Sequence, residues 1–197
     1  MSYTACLRSW SDVFVRYVKR PAGAAQGLAG VLLGLILLAA SGGCGGMAPL
    51  RPTIAKEPGL EEMSVEVNLV GVSEMEFRKW NTYPMSQYWS PGDPVRESAV
   101  ESGQAHVIHL PATRQSGYAV HREDAEAWNQ TLARWESGEK AYMFVLADLA
   151  GFEDSVGQAD PRRLILPLQS KRWKTFDITI EVQGGGIGVD PEPKFRK

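Results

Sequence analysis

Cysteine is almost absent from this 197-residue chain, which has only Cys6 and Cys44. Removal of a leader before Cys44 would leave one cysteine, at the first residue, so neither an internal disulfide nor a cysteine-based metal site is expected. Positive charge is not in excess. With 21 Lys+Arg against 23 Asp+Glu the formal net charge is −2, and the electrostatic footprint of a nucleic-acid binder is missing. Histidine is scarce, at three residues. No Gly-x-Ser-x-Gly motif occurs. The run Gly184-Gly185-Gly186-Ile187-Gly188 lacks the Lys-Ser/Thr ending of a phosphate loop and opens no helix, so it reads as a hairpin turn. No internal repeat is visible. The expectation is a protein that is not an enzyme and takes no cofactor or metal. What is present is ordinary: 44% hydrophobic and 22% charged residues, which exclude a fully disordered or collagen-like chain.

The charge is distributed unevenly. Residues 1–43 hold Arg8, Arg16, Lys19 and Arg20 against Asp12 alone, and the other 154 residues carry a net −5. Residues 28–41 are uncharged and rich in Leu, Ala and Gly. A positive flank, a short apolar run and the small residues Ser41-Gly42-Gly43 are the parts of an export signal. The run falls short of the roughly 20 residues that a membrane span needs.

The stretch Leu37-Leu38-Ala39-Ala40-Ser41-Gly42-Gly43-Cys44 resembles the lipobox of bacterial lipoprotein precursors. The resemblance implies cleavage between Gly43 and Cys44 and acylation of the Cys44 thiol. It also implies attachment to the membrane through that lipid, and Gly45 in place of Asp implies the outer membrane. Two alternatives stay open: cleavage near Ala40 by the ordinary signal peptidase, and an uncleaved anchor over residues 22–41.

Residues 44–62 read as the lipidated cysteine and a flexible tether, because Pro49, Pro52 and Pro58 recur without an apolar period. Such a tether would span roughly 20–25 Å. A single domain is expected over 63–190, followed by a loose tail, 191–197. Val65, Val67 and Leu69 alternate with polar residues as in a half-buried strand. Ser73 and Glu76 have capping-box spacing, so a short helix through Trp80 is expected. Ser90-Pro91-Gly92-Asp93 is a turn. Strands are expected over 105–110, 142–147, 163–168, 176–182 and briefly 187–189, with 142–147 apolar enough to be central. The one clear helix spans 121–137, with Ala125, Trp128, Leu132 and Trp135 in a stripe and Gly138 as its cap. The fold class is therefore α+β, mostly β: an antiparallel β-sandwich with one inserted amphipathic helix as a structural lid.

Candidate chemistry is thin. His106 and His109 point to opposite faces of a strand and His121 opens the helix, so structural or solvated roles are expected. Glu123, Asp124 and Glu126 suit a helix N-terminus. Glu153, Asp154 and Asp160 lie in a loop where weak Ca²⁺ binding is conceivable, although without EF-hand spacing. Phe77, Trp80, Tyr83, Tyr88 and Trp89 crowd thirteen residues. Trp80, Tyr83, Tyr88 and Trp89 are interaction candidates, although core packing is the favoured reading for most of these rings. Arg162, Arg163, Lys171, Arg172 and Lys174 form a second basic group, read as a solvated rim that could face lipid phosphates or a partner.

The stretch 141–149, Ala-Tyr-Met-Phe-Val-Leu-Ala-Asp-Leu, and the course from Trp173 to Ile187 resemble the outer-membrane lipoprotein family of type VI secretion systems. That resemblance implies a transthyretin-like β-sandwich that docks onto an inner-membrane partner, so the sandwich is expected to be transthyretin-like or immunoglobulin-like, with an envelope protein as its partner. The expected function is a membrane-anchored interaction or structural module facing the periplasm. The alternative is a cell-wall glycan-binding lipoprotein using the aromatic segment 77–89.

Overall fold

Eight strands and five helices occupy residues 46–113 and 117–194, the parts of the chain that the computed structural model describes. Gly43, Cys44 and the leader lie outside them. The strands are β1 (Arg51–Lys56), β2 (Val65–Val72), β3 (Ala105–Leu110), β4 (Tyr118–Ala119), β5 (Tyr142–Ala147), β6 (Arg163–Pro167), β7 (Asp177–Gln183) and β8 (Gly186–Asp190). The helices are α1 (Glu74–Thr82), α2 (Met85–Tyr88), α3 (Pro94–Glu101), α4 (Val120–Glu123) and α5 (Ala125–Ser137). The fold is α+β and mostly β.

Two four-stranded sheets form, in the orders β3-β2-β5-β6 and β4-β1-β7-β8. The first is antiparallel throughout. The second departs from the expected antiparallel pattern, because β1 runs parallel to β7 over six paired residues, from Arg51 opposite Asp177 to Lys56 opposite Val182.

Side-chain alternation explains the layers. In β7, Ile178, Ile180 and Val182 are buried while Asp177, Glu181 and Gln183 are exposed, so that strand has one wet face. β2 and β5 are buried on both faces, which is why β5 reads as a continuous apolar run. One face contributes Val65, Val67, Leu69, Met143 and Val145 to a core shared with Ile54, Ile178 and Ile180. The other contributes Val70, Val72, Phe144 and Leu146 to a second core under Trp80, Met85, Tyr88 and Ala99. The β2 strand expected to be half-buried is thus buried, and α1–α3 form a covering layer that one inserted helix does not describe.

The capping box forms as expected. Ser73 Oγ accepts from the Glu76 N–H, and Glu76 Oε2 accepts from the Ser73 N–H at 3.0 Å. The start of α3 was hidden in a turn signal. Asp93 Oδ1 accepts from the N–H groups of Val95 and Arg96 at 3.1 and 2.8 Å, with Pro94 in the first turn. Gly92 has φ 75° in the preceding turn, as that turn needs.

The helix expected over 121–137 is broken at Asp124, whose φ of −132° and ψ of 41° are not helical. Its stripe does act as a lid. Trp128 and Trp135 are each 1% exposed, and Trp128 Nε1 donates to Leu50 O at 2.9 Å. Burying one such ring contributes about 4–6 kcal/mol as an upper bound. Gly138 follows the last turn, but Glu139 takes the left-handed conformation, φ 51°. The Lys140 N–H then closes back on Trp135 O at 2.9 Å.

Both ends of the expected domain need correction. Met47 bridges Gln169, Ala48 and Leu50 are fully buried, and β1 is a full strand, so residues 46–56 belong to the fold and not to a tether. At the other end Pro193 is buried and the Lys194 N–H donates to Arg172 O at 2.8 Å, so the tail is held at least to Lys194.

Candidate functional site

The aromatic segment folds into the second core and its rim. Trp80 is 3% exposed and meets Tyr88 edge-on at 6.0 Å. Tyr88 is fully buried and its hydroxyl accepts from Asn68 Nδ2 at 3.0 Å. Burial pushes the Tyr88 phenol up to about 12, against the Asn68 hydrogen bond. Tyr83 is half-buried and its hydroxyl donates to Asp93 Oδ2 at 2.6 Å. Burial first, then the Asp93 carboxylate, raises that phenol to about 12. Trp89 is half-buried, edge-on to Tyr88 at 5.0 Å, with the Arg96 guanidinium 5.3 Å above its ring. Arg96 is held in turn by Glu66 at 2.7 Å. These contacts fix the helical cover to the sheet. Trp80 and Tyr88 are core residues, and the exposed aromatic row that a glycan platform needs is not formed by Trp80, Tyr83 and Trp89.

Two of the five residues read as a basic rim are buried. Arg162 binds Asp160, which is fully buried, through Nε at 2.9 Å and Nη2 at 2.8 Å, and reaches Asp154 at 2.7 Å. Asp154 also accepts from the Ser86 N–H at 2.8 Å, tying this loop to α2. Burial raises the Asp160 carboxyl, but the Arg162 hydrogen bonds outweigh it and leave it below the usual carboxylate value. One guanidinium thus lies between two carboxylates and offsets one of their two charges, and ion pairs hold the loop in which the sequence had allowed weak Ca²⁺ binding. Arg163 donates to the backbone carbonyls of Asn81, at 2.5 Å, and Tyr83. Its guanidinium pKa falls because it is buried. The signal for both struts was the polar loop 153–163 returning to an apolar strand, which sequence alone could not connect to α1 and α2.

The histidines do not converge. His106 is 7% exposed, with Nε2 3.5 Å from Asp124 Oδ2 and its ring 5.4 Å from Trp128. Burial holds its imidazole below the ordinary value, against the Asp124 charge. His109 is exposed and 3.7 Å from Glu66. His121 Nδ1 lies 3.4 Å from Pro52 O. Among the described residues no three His, Cys, Asp or Glu side chains are grouped to hold a metal ion, and no helix is long and apolar enough to cross a membrane.

A shallow groove of about 350 Å³ lies between α1 and β6, lined by Phe77, Asn81, Tyr142, Gln158, Ile165 and Pro167. Its aromatic wall is the Phe77–Tyr142 pair at 4.7 Å. Asn81, Tyr142 and Gln158 carried no sequence signal as a set, because three separate elements bring them together.

The described domain is thus a mixed α+β fold of two sheets, whose polar clusters serve mainly as struts. No family model matches the chain, and no curated protein matches it. Among solved structures it is similar to Lip of Serratia marcescens, a membrane-bound component of the type VI secretion system. The TM-score is 0.40 and the identity 11%, over 77% of this chain and 99% of that one. A likeness at that score assigns no role to any residue.

Proposed function

We propose that this chain is a membrane-tethered, non-enzymatic interaction or structural module of a bacterial cell envelope, anchored by acyl chains on Cys44. The observation that carries the reading is the order of the N-terminal residues: a basic flank, the apolar run 28–41, then Ser41-Gly42-Gly43-Cys44. Two or three acyl chains anchor stably where one would not, at about 0.8 kcal/mol per buried methylene. The outer membrane, with the domain facing the periplasm, is the location we assign from Gly45. An envelope protein, within a secretion or other envelope assembly, is the partner we assign. The non-enzymatic part is supported by the use of polar side chains as struts: Arg162 between Asp154 and Asp160, and Tyr83 on Asp93.

Labelled palmitate and globomycin test the anchor. The wild type should incorporate the label, and globomycin should leave a precursor. Cys44→Ser should be neither labelled nor cut. A Cys44→Ser chain processed at the normal rate, beside an unlabelled wild type, would overturn the reading in favour of ordinary secretion.

A further inference from the structure

The fold pins its first described residue beside an exposed basic loop. Gly46 O accepts from the Ser170 N–H at 3.1 Å, Met47 bridges Gln169, and the Ala48 N–H donates to Leu168 O at 2.6 Å. The loop then runs through one 3-10 turn, Ser170–Arg172, to Trp173. Trp173 is 7% exposed and donates from Nε1 to Pro167 O at 2.8 Å, so the loop is nailed to the core. Lys171 and Lys174 flank that indole and are exposed, and Arg172 is half-exposed. The C-terminal segment arrives at the same loop. The Lys194 N–H donates to Arg172 O at 2.8 Å, Arg172 Nη1 donates to Lys194 O at 3.4 Å, and Arg196 and Lys197 follow in the sequence.

Nearby acids do not cancel this charge. Asp177 is paired with Arg51 at 2.5 Å, while the Tyr142 hydroxyl that donates to Glu74 at 3.0 Å removes no charge, so Glu74 and Glu192 stand as two carboxylates against the four cations Lys171, Arg172, Lys174 and Lys194. Among the described residues Lys171, Lys174 and Lys194 form no ion pair.

We propose that this loop is the membrane-contacting surface of the domain, with Lys171, Arg172, Lys174 and Lys194 lying against the phosphate headgroups of an anionic bilayer. The proposal rests on the reading of Cys44 as the lipid anchor. Only Gly45 separates Cys44 from Gly46, and two residues span at most about 7 Å. That reach is within the Debye length of about 10 Å at 0.1 M salt, so the anchor holds Gly46, and the Ser170 backbone bonded to it, close to the headgroups, with Lys171 next in the chain. Each basic residue near an anionic surface strengthens attachment roughly fivefold. Residues 44–197 carry a net −5, so an anionic bilayer repels the domain in most orientations and favours the one that presents this loop.

The test uses the mature protein purified from membranes and reconstituted into vesicles of phosphatidylcholine alone or with phosphatidylglycerol. A water-soluble amine-acylating reagent is applied and each lysine is followed by mass spectrometry. Lys171, Lys174 and Lys194 should react severalfold more slowly with phosphatidylglycerol present, and the protection should vanish at about 0.5 M salt. The exposed Lys79 on α1 should react alike in both. Lys171→Glu with Lys174→Glu should melt as the wild type does and lose the protection at Lys194. Equal rates in both vesicles overturn this inference while leaving the anchor standing. An intact mass without acyl chains on Cys44 overturns the anchor itself.

Discussion

Gly71 sits in the middle of the molecule with an indole on its back. A Cβ at Gly71 would come within 2.6 Å of Cδ1, Cδ2 and Cε2 of Trp135. Carbon atoms in contact normally keep about 3.5–4.0 Å, so the ring would have to retreat by about 1 Å. It has little freedom to do so. Trp135 Nε1 donates to Gln104 O at 3.0 Å, the carbonyl that also accepts the Gly71 N–H at 3.0 Å, and Trp128 stands edge-on at 5.6 Å. Gly71 has no positive φ, so Gly71→Ala would by backbone entropy alone stabilise the protein by about 0.4–1 kcal/mol. Overpacking costs about 1–3 kcal/mol and should win. The expected result in a thermal melt is a Tm lower by about 2–8 °C. In a Trp135→Leu background the clash is gone, and Gly71→Ala should become neutral or stabilising, a coupling that a double-mutant cycle reads directly. A Gly71→Ala protein that melts at or above the wild type, or a cycle that is additive, refutes the packing described here.

Four other outcomes are expected. Trp128→Ala should cost about 3–5 kcal/mol by urea titration, since it empties a buried site and strands Leu50 O. Arg162→Ala should cost about 3–5 kcal/mol because it leaves Asp160 buried and unpaired, and Asp160→Asn added to it should restore part of the loss. His106 is held below its ordinary 6.5, so the unfolded chain protonates first as pH falls through that value and stability declines on acidification; His106→Phe should flatten the urea midpoint between pH 7 and pH 5, as roughly expected from linkage. A chain beginning at Met63, where the sequence alone would start the domain, should show no cooperative melting transition, because it lacks β1 and the fully buried Leu50 and Ile54.

Local rules that need only neighbours in the chain were legible. The Ser73–Glu76 box, the Trp128–Trp135 stripe and the β7 alternation are each decided within one element, and each stands where the spacing put it. The apolar run of β5 also announced its central position, between β2 and β6. The candidate site was less legible, because its meaning lies in contacts between distant segments. Trp80 and Tyr88 look alike on a surface groove and in a core, and only the second sheet face under α1 and α2 decides between them. Arg162 looks like any surface cation until Asp160 is placed fully buried beside it, two residues back in the same loop.

β1 was missed for a reason that Pro52 makes explicit. A proline in a strand removes a ladder donor, and three prolines within ten residues read as a tether. In a parallel pair, alternate residues direct their backbone groups to opposite sides. The N–H groups of Arg51 and Glu57 donate to Phe176 O at 2.7 Å and Val182 O at 2.9 Å, so the odd residues face β7 and Pro52 faces away from it. On that far side β4 pairs only with Thr53 and Ile54. Pro52 therefore lies just beyond the end of the second ladder, where no strand asks for its missing N–H, and its carbonyl is left for His121 at 3.4 Å. The proline is compatible with a strand whose partner on one side is two residues long. Ile54, two residues on and fully buried, continues the inward face that Pro52 begins. The distinguishing mark was thus the alternation Pro52, Ile54 beneath the prolines. It became readable only once β7, more than 120 residues away, supplied the other half of the ladder.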